Sequence, residues 1–523
     1  MRHEPLKKIV LVNTLTSYLL AFGHIVSAII LTRLLYHGLG DLSYGFWALL
    51  WAIFGYAVLL DFGFGTSVQK YTAEVSVSGD FKKYNHLLST VFTAYAVLAL
   101  VLLALTFVGS VLLPRFFRFP AGTDLALYQQ VFLIFGIGAS FIFPTGAFAE
   151  ILVGLKKIHL RNLVQFITLS LNIVGIAMII HWGHGLLEIA SLSVLLHFLS
   201  NLAMAFLCHR QLPDMKIRPQ FFRPSLIREV VSFSIFAHVI TFANLVIMRI
   251  DHIVLGLMLG VEAVVVYQIG SRIAFLFFRL TSQFPENLAP IAASLTKAKG
   301  HEQLQHILVV GNRIIAFMAV ILFLVLSILI EPILYVWLDV QSVLATQIAW
   351  MMNTAMFALI LFKSGSGRVL LMTQKYKFMA VQASIEAVAN VLLSILFIKL
   401  FHEVGVALGT LVPSIIMSVF VLFPVASAFS GVSVWECLRH TYAPLALLSV
   451  LPALLLYGSL QWIPVTAWTV FHLFAASLLA TLLYVIPGYY VFLRDEERVH
   501  LKTLFTPKGS SPARARESAY FSG

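Results

Sequence analysis

The sequence carries little charge. Charged residues make up 11% of its 523 positions, and hydrophobic residues make up 60%. A soluble globular domain has about 25% and about 45–50%, respectively. Because much of a folded domain faces its solvent, a chain with so few charges cannot present a polar surface to water. Lipid must therefore be the solvent for most of this chain, and an all-α polytopic membrane protein is predicted.

Metal-binding and disulfide patterns are scarce as well. The two cysteines, Cys208 and Cys437, fall at predicted helix ends on the side assigned to the cytoplasm, where a disulfide or a thiolate site is not expected. His181 and His184 have i,i+3 spacing but no third ligand nearby. The net charge of +12 is spread over short loops and the tail, which argues against nucleic-acid binding. No metal, cofactor or nucleic-acid partner is predicted.

The sequence also lacks the motifs of an energy-converting or hydrolytic enzyme. It contains no Walker A sequence and no Gly-x-Ser-x-Gly. The loops assigned to the outside are short and hold no His/Asp/Glu cluster for general acid–base catalysis. A membrane-embedded glycan polymerase or ligase is therefore the weaker alternative to a transporter. Transport would then use an ion gradient, the membrane potential or downhill consumption of the product.

Apolar runs predict about fourteen transmembrane helices, since a bilayer core needs about 20 apolar helical residues. The predicted spans are 9–32, 43–69, 87–113, 125–153, 160–180, 186–208, 226–249, 262–286, 305–330, 345–372, 378–400, 404–428, 442–460 and 466–492. The first two spans are separated by a short break that contains glycine.

The distribution of Lys and Arg predicts the orientation. Most of the 35 basic residues lie in alternate connections and the tail, whereas only Arg33, Arg115, Arg118 and Lys399 lie in the opposite connections. Because basic residues concentrate in cytoplasmic loops, both termini are expected in the cytoplasm. The basic tail, 494–523, is expected to be disordered.

A pattern at the first two spans recurs at the seventh and eighth. Each copy has an arginine, then a Leu-Gly pair, then a tyrosine that opens the next span. The copies comprise Leu31-Thr32-Arg33, Leu39-Gly40 and Tyr44, and Ile247-Met248-Arg249, Asp251, Leu259-Gly260 and Tyr267. An offset of six spans gives both copies the same orientation, so the sequence predicts a parallel repeat.

The first copy resembles the opening of the polysaccharide transporter family, which includes Wzx-type O-antigen and exopolysaccharide flippases. The similar residues are Leu31 to Leu35, Leu39-Gly40, Tyr44-Gly45-Phe46-Trp47, Leu59 to Gly65 and Lys70-Tyr71, and a second similar region runs from Asp251 to Pro290. The motif positions are Arg33, Gly40, Tyr44, Gly45, Arg249 and Asp251. The insertion Tyr36-His37-Gly38 departs from the pattern, so no role is transferred to that turn.

This resemblance implies two six-helix lobes around a central cavity, with two further helices. The corresponding ranges are an N-terminal lobe at 1–212, a C-terminal lobe at 213–430, two added helices at 431–493 and the tail at 494–523. It also implies a multi-pass protein of the bacterial inner membrane. The implied substrate is a glycan on a polyprenyl diphosphate, and the implied partners are the lipid bilayer, a glycan polymerase and assembly proteins. A monomer is expected.

The eighth span has the best pattern for binding an anion. Gln268, Arg272, Arg279, Gln283 and Glu286 fall within a sector of about 60° on a helix. A guanidinium is planar and permanently charged, which suits phosphate oxygens. The arginines could instead pair with carboxylates of neighbouring helices and only lock the bundle.

Further embedded cations flank a glycine-rich stretch in the tenth span. Lys363 and Arg368 lie on either side of Gly365 and Gly367, an arrangement that suits a moving gate. For Arg368 we favour contact with lipid head groups, and for Lys363 both interpretations stay open. Arg313, in the ninth span, is a further substrate-binding candidate.

The acids assigned to the spans are ion-coupling or ion-pair candidates. They are Asp61, Glu150, Glu286 and Glu386. Each could titrate during transport, because burial raises the pKa of a carboxyl group, or could be a fixed partner of an arginine. For Asp61 the structural role is favoured.

The nearest alternative function is a multidrug or cation antiporter of the sister family. Such a protein would favour acids over bases in its cavity, because many of its substrates are cations. Here the embedded cations outnumber the acids: Lys70, Arg249, Arg272, Arg279, Arg313, Lys363 and Arg368. The balance favours an anionic substrate.

Overall fold

A computed structural model describes residues 6–493, except residue 62, 228–234 and 296–299, and also describes Arg498. In this part of the chain every regular element is a helix, so the predicted all-α class is confirmed. Its long apolar helices are those of a multi-pass membrane protein.

We number the described helices in chain order, and the first of them covers the first predicted span and part of the second. They are α1 Leu6–Gly55, α2 Phe64–Ser78, α3 Phe81–Phe116, α4 Leu125–Gly154, α5 Ile158–His181, α6 Leu186–Gln211, α7 Ile235–Met258 and α8 Ala263–Leu295. A 3₁₀ segment, Tyr56–Asp61, joins α1 to α2, and another, Pro219–Phe221, follows α6.

The later helices are shorter and more often interrupted. They are α9 Gly300–Ile328, α10 Ile330–Leu338, α11 Val343–Ala358, α12 Ser364–Met372, α13 Tyr376–Ile415, α14 Phe423–Ser430, α15 Val434–Cys437, α16 Ala443–Trp462 and α17 Val470–Pro487. The π-helical segments described among them are Leu359–Lys363, Ile416–Leu422, Leu438–Tyr442 and Gly488–Phe492. A 3₁₀ segment, Val465–Ala467, precedes α17.

Within the described residues, 11 helices are long and apolar enough to cross a membrane, or 12 if the bent pair in α4 is one span. Two of them, Leu11–Gly55 and Tyr376–Ser430, are 45 and 55 residues long, about twice what a bilayer needs. Each contains a non-helical residue, Gly40 or His402. Counting the bent pair as one span and dividing both long helices at these residues gives fourteen spans, and the number itself stays a prediction.

Both Leu-Gly pairs of the repeat lie at breaks in the helical backbone. Gly40 has φ +72° and Gly260 has φ +115°, a region of backbone conformation that glycine adopts without steric cost. The predicted end of the seventh span at Arg249 is wrong, because α7 continues to Met258. Arg249 and Asp251 lie inside this helix, where both side chains make hydrogen bonds within the protein.

The chain forms two compact units. The first comprises Met1–Arg272, Ser342–Met351 and Tyr376–Pro413, and the second comprises Ile273–Gln341, Met352–Lys375 and Ser414–Gly523. Packing defines these units, whereas the lobes implied by the family resemblance have boundaries at 212 and 430. Those lobes stay a prediction.

Candidate functional site

Arg272 lies in the first unit, one turn after Gln268 on α8. Its side chain is half-buried, and its Nε atom is buried without a hydrogen-bond partner. The Tyr44 side chain lies within electrostatic range of this guanidinium, and the Tyr44 hydroxyl is also buried without a hydrogen bond. Because an unpaired buried donor is costly, this arrangement favours a polar or anionic ligand at Arg272.

Gln268 is fixed by a residue that the sequence analysis did not consider. His252 Nε2 on α7 donates to Gln268 Oε1 at 2.7 Å, and only 6% of His252 is exposed. Both Arg249 and Arg272 lie within electrostatic range of His252. Arg249, His252 and Arg272 therefore form one polar group in the first unit. We call these three residues, together with Gln268 and Tyr44, the Arg272 group.

Arg249 has a structural contact of its own. It donates to the carbonyl oxygen of Trp51, close to the point where α1 gives way to the 3₁₀ segment that starts at Tyr56. The guanidinium lies over Gly55, where a Cβ atom would be only 1.9 Å from Nη1. This hydrogen bond joins α7 to the last residues of α1.

The motif glycine Gly45 permits close backbone packing. A Cβ atom at this position would lie 2.4 Å from the Val261 carbonyl oxygen, in the turn before α8. Only glycine allows this approach. Arg33, the first motif residue, is exposed on α1.

Asp251 lies at the centre of an oxygen-rich cluster. Only 1% of it is exposed, and its described hydrogen-bond donors are hydroxyls. Tyr267 Oη donates to it, Thr410 Oγ1 donates at 2.7 Å and Ser394 Oγ donates at 3.4 Å. A carboxylate among neutral oxygen groups can take up a proton or a small cation.

Asn390 extends this cluster. Its Nδ2 donates to Thr410 Oγ1 at 2.8 Å, while its Oδ1 is buried without a hydrogen-bond partner. Gly409 allows the two helical stretches to approach, because a Cβ there would lie 2.3 Å from Ser394 Oγ. We call Asp251, Tyr267, Asn390, Ser394 and Thr410 the Asp251 cluster.

Two other predicted acids share a second polar region of the first unit. Asp61 accepts hydrogen bonds from Tyr95 Oη and from the backbone N–H of Gly65 at 3.1 Å. Glu150 accepts from Gln69 Nε2. These donors are neutral. Among the described hydrogen bonds, neither Asp61 nor Glu150 has an arginine partner.

Glu386 is fully buried in the first unit and accepts a hydrogen bond from Gln382 Nε2 at 2.7 Å. Glu286 and Gln283 have side chains outside the described residues. The predicted roles of these three residues stay predictions.

Arg313 is an anchoring residue of the second unit. Its Nη2 donates to the Phe492 carbonyl oxygen at 2.6 Å, and its Nη1 donates to the His440 carbonyl oxygen. The guanidinium lies 4.2 Å from the centroid of the Phe492 ring. This engagement favours a structural role, and Arg313 is left out of the binding set proposed below.

Arg279 and Lys363 also belong to the second unit. Arg279 is exposed on α8. Lys363 is half-buried at the end of a π-helical segment, and the glycine-rich stretch after it is helical. π-Helical segments often occur at functional sites. The π-helical irregularity of this span therefore lies before Gly365 and Gly367. A moving gate at the glycine-rich stretch stays a prediction.

No group of three or more His, Cys, Asp or Glu residues able to hold a metal ion occurs in the part of the chain that the structure describes. The Asp251 cluster contains a single carboxylate. Its oxygens suit a proton or a monovalent cation better than a divalent metal.

The chain resembles one protein family by sequence and several solved structures by fold. The model of the family described as "Polysaccharide biosynthesis protein" matches residues 8–280. No curated protein matches the sequence at a significant level.

Among solved structures, the lipid II flippase MurJ in an inward closed conformation matches with a TM-score of 0.67 and 15% identity. The match covers 95% of this chain and 100% of that one. An inward-facing multidrug resistance MATE transporter of the MOP superfamily matches with a TM-score of 0.63 and 15% identity, over 79% of this chain and 96% of that one. At such identities these matches show a common fold.

A third solved structure is a MOP superfamily transporter from Pyrococcus furiosus, described by the words "Reverse polarity of binding pocket suggests different function". It matches with a TM-score of 0.52 and 15% identity, over 82% of this chain and 94% of that one. The shared fold therefore includes proteins whose pockets differ in polarity, and the residues of this chain must decide its substrate.

Proposed function

We propose that this chain, which belongs to the polysaccharide biosynthesis protein family, translocates a polyprenyl-diphosphate-linked oligosaccharide across the bacterial cytoplasmic membrane by alternating access. The observation that carries the proposal is the half-buried Arg272, whose Nε is buried without a hydrogen bond. A diphosphate would supply acceptors to the planar fork of Arg272.

The composition of the Arg272 group supports an anionic substrate. It holds two arginines, a glutamine, a histidine and a tyrosine, and it contains no carboxylate. An embedded guanidinium costs several kcal/mol, and the negative charge of a diphosphate would offset much of that cost. Arg279 and Lys363, which belong to the second unit, stay predicted substrate-binding residues.

The Asp251 cluster supports a coupling role. Its buried carboxylate has hydroxyl donors and a neighbouring amide oxygen without a hydrogen-bond partner. In this proposal a proton or monovalent cation binds there and biases the alternating conformations. Differential binding of an ion to two conformations is sufficient to drive such a bias.

The orientation and partners complete the proposal. Both termini lie in the cytoplasm, the protein acts as a monomer, and a glycan polymerase and assembly proteins receive its product. The fold and the family are those of transporters, and we propose no catalytic reaction for this chain.

A multidrug antiporter is the second candidate, because the MATE match and the buried carboxylate of Asp251 favour it. The two differ in the charge of the cargo. A cation exporter should present an acid to its substrate, whereas the Arg272 group presents arginines. Ethidium efflux and glycolipid movement therefore separate the candidates.

The test is transport by the purified protein in liposomes without ATP. We expect the wild type to move a fluorescent polyprenyl-diphosphate glycan between leaflets. Replacing Arg272 and Lys363 with neutral residues should slow this movement more than Asp61→Asn does. Ethidium efflux without glycolipid movement would establish the antiporter instead, and a glycan that grows or changes linkage would establish an enzyme.

A further inference from the structure

The first unit contains an apolar cavity of about 550 Å³ beside Arg249. Side chains of α1, α4, α6 and α7 line it, and its aromatic wall consists of Trp51, Phe54, Phe135, Phe141 and Phe198. Small-molecule pockets span roughly 300–1,000 Å³. The cavity therefore has room for a ligand of roughly twenty carbon atoms at interior packing density.

Two polar side chains of the cavity lining bond to the backbone of their own helix. Ser191 Oγ donates to the Leu187 carbonyl oxygen at 2.7 Å, and the His197 ring bonds to the Ser193 carbonyl oxygen at 2.8 Å. Such backbone bonds remove these groups from the cavity surface. A hydrocarbon chain would thus meet few unsatisfied polar atoms.

Arg249 is the one Arg or Lys among the described lining residues. Its only described hydrogen bond is from Nη1 to the Trp51 carbonyl oxygen, which leaves the rest of the fork for a ligand. Arg249 also lies within electrostatic range of His252, as does Arg272. The cavity therefore adjoins the Arg272 group at its cationic end.

We propose that this cavity binds the first isoprene units of the carrier lipid, with Arg249 holding the phosphate nearest the chain. The inference rests on the proposed function and adds a subsite to it. An apolar chamber with a single guanidinium at its edge complements an amphiphile with an apolar chain and a phosphate. Branched isoprene units suit the broad aromatic wall, and roughly four of them fill the volume.

The test uses geranylgeranyl phosphate with a photoreactive diazirine, added to the full-length protein in nanodiscs. This labelling experiment requires neither the sugar of the substrate nor transport activity. We expect labelling to map to α4 and α6 along the cavity wall. Unlabelled geranylgeranyl phosphate should compete at least tenfold better than a diacyl phosphatidic acid.

Two leucines provide a matched pair of variants. Leu195 lines the cavity and is 53% exposed, whereas Leu171 on α5 is 52% exposed and lies outside the lining. Leu195→Trp should reduce labelling at least fivefold, and Leu171→Trp should leave it unchanged. In the Arg249→Gln variant, geranylgeranyl phosphate should compete with the photolabel about tenfold more weakly. Competition by geranylgeraniol, which has no phosphate, should not change.

Several outcomes would overturn the inference. They are labelling outside the cavity, equal effects of the two tryptophan variants, and equal competition by phosphatidic acid, which would identify a general lipid site. Failure of the wild type to move glycolipid, with labelling of the cavity intact, would instead overturn the proposed function alone.

Discussion

Arg272 and Arg313 are both embedded arginines, yet their surroundings differ. Arg313 is 4% exposed and donates to two backbone carbonyl groups while it stacks on Phe492. Arg272 has a buried Nε without a partner. Charge in a span is therefore a poor guide to function by itself. The hydrogen bonds that the guanidinium already makes separate an anchor from a binding residue.

The largest effect should follow loss of the anchor. Arg313→Ala leaves the His440 and Phe492 carbonyl groups without these donors, at a cost of about 1–3 kcal/mol for each. We expect lower folded yield and a thermal unfolding midpoint several degrees lower in detergent. Arg279→Ala, at an exposed position of the same unit, is the control and should leave the midpoint unchanged. Equal midpoints for the two variants would remove the distinction drawn here.

A smaller effect, on coupling, should follow a change in the Asp251 cluster. Asp251→Asn keeps the size of the side chain but removes the carboxylate that would bind a proton or cation. Glycolipid movement in liposomes should become insensitive to an imposed proton or sodium gradient and slow about threefold to tenfold. Asp61→Asn, which alters the other polar region of this unit, should keep the gradient dependence. Loss of the dependence in Asp61→Asn and its retention in Asp251→Asn would reverse the assignment.

The sequence predicted the helices well because hydropathy reports directly on contact with lipid. The span predicted at 125–153 is observed as Leu125–Gly154. The positive-φ glycines at both Leu-Gly pairs also follow from the repeat. The boundary predicted at Arg249 was wrong, because Arg249 lies inside α7 and donates a hydrogen bond to the Trp51 carbonyl group.

The sites were less predictable, because their members are distant in sequence. Thr410 lies 159 positions from Asp251, and an isolated serine or threonine in an apolar span gives no signal of its own. His252 was overlooked although it adjoins Asp251. The stripe of span eight drew attention to Arg272 and Gln268, whose role stays a prediction. Periodicity could not reveal which guanidinium already had carbonyl partners, because that depends on helices far along the chain.

The central claim is that Arg272 binds the diphosphate of the substrate, and an affinity measurement tests it most directly. Dissociation constants for a polyprenyl diphosphate and for the matching polyprenol should be measured with wild type, Arg272→Ala and Arg272→Lys in nanodiscs. We predict that Arg272→Ala weakens diphosphate binding at least ~10-fold, or about 1.4 kcal/mol. Arg272→Lys should weaken it less, and polyprenol binding and thermal stability should not change. Unchanged diphosphate affinity in a stably folded Arg272→Ala protein would contradict the account.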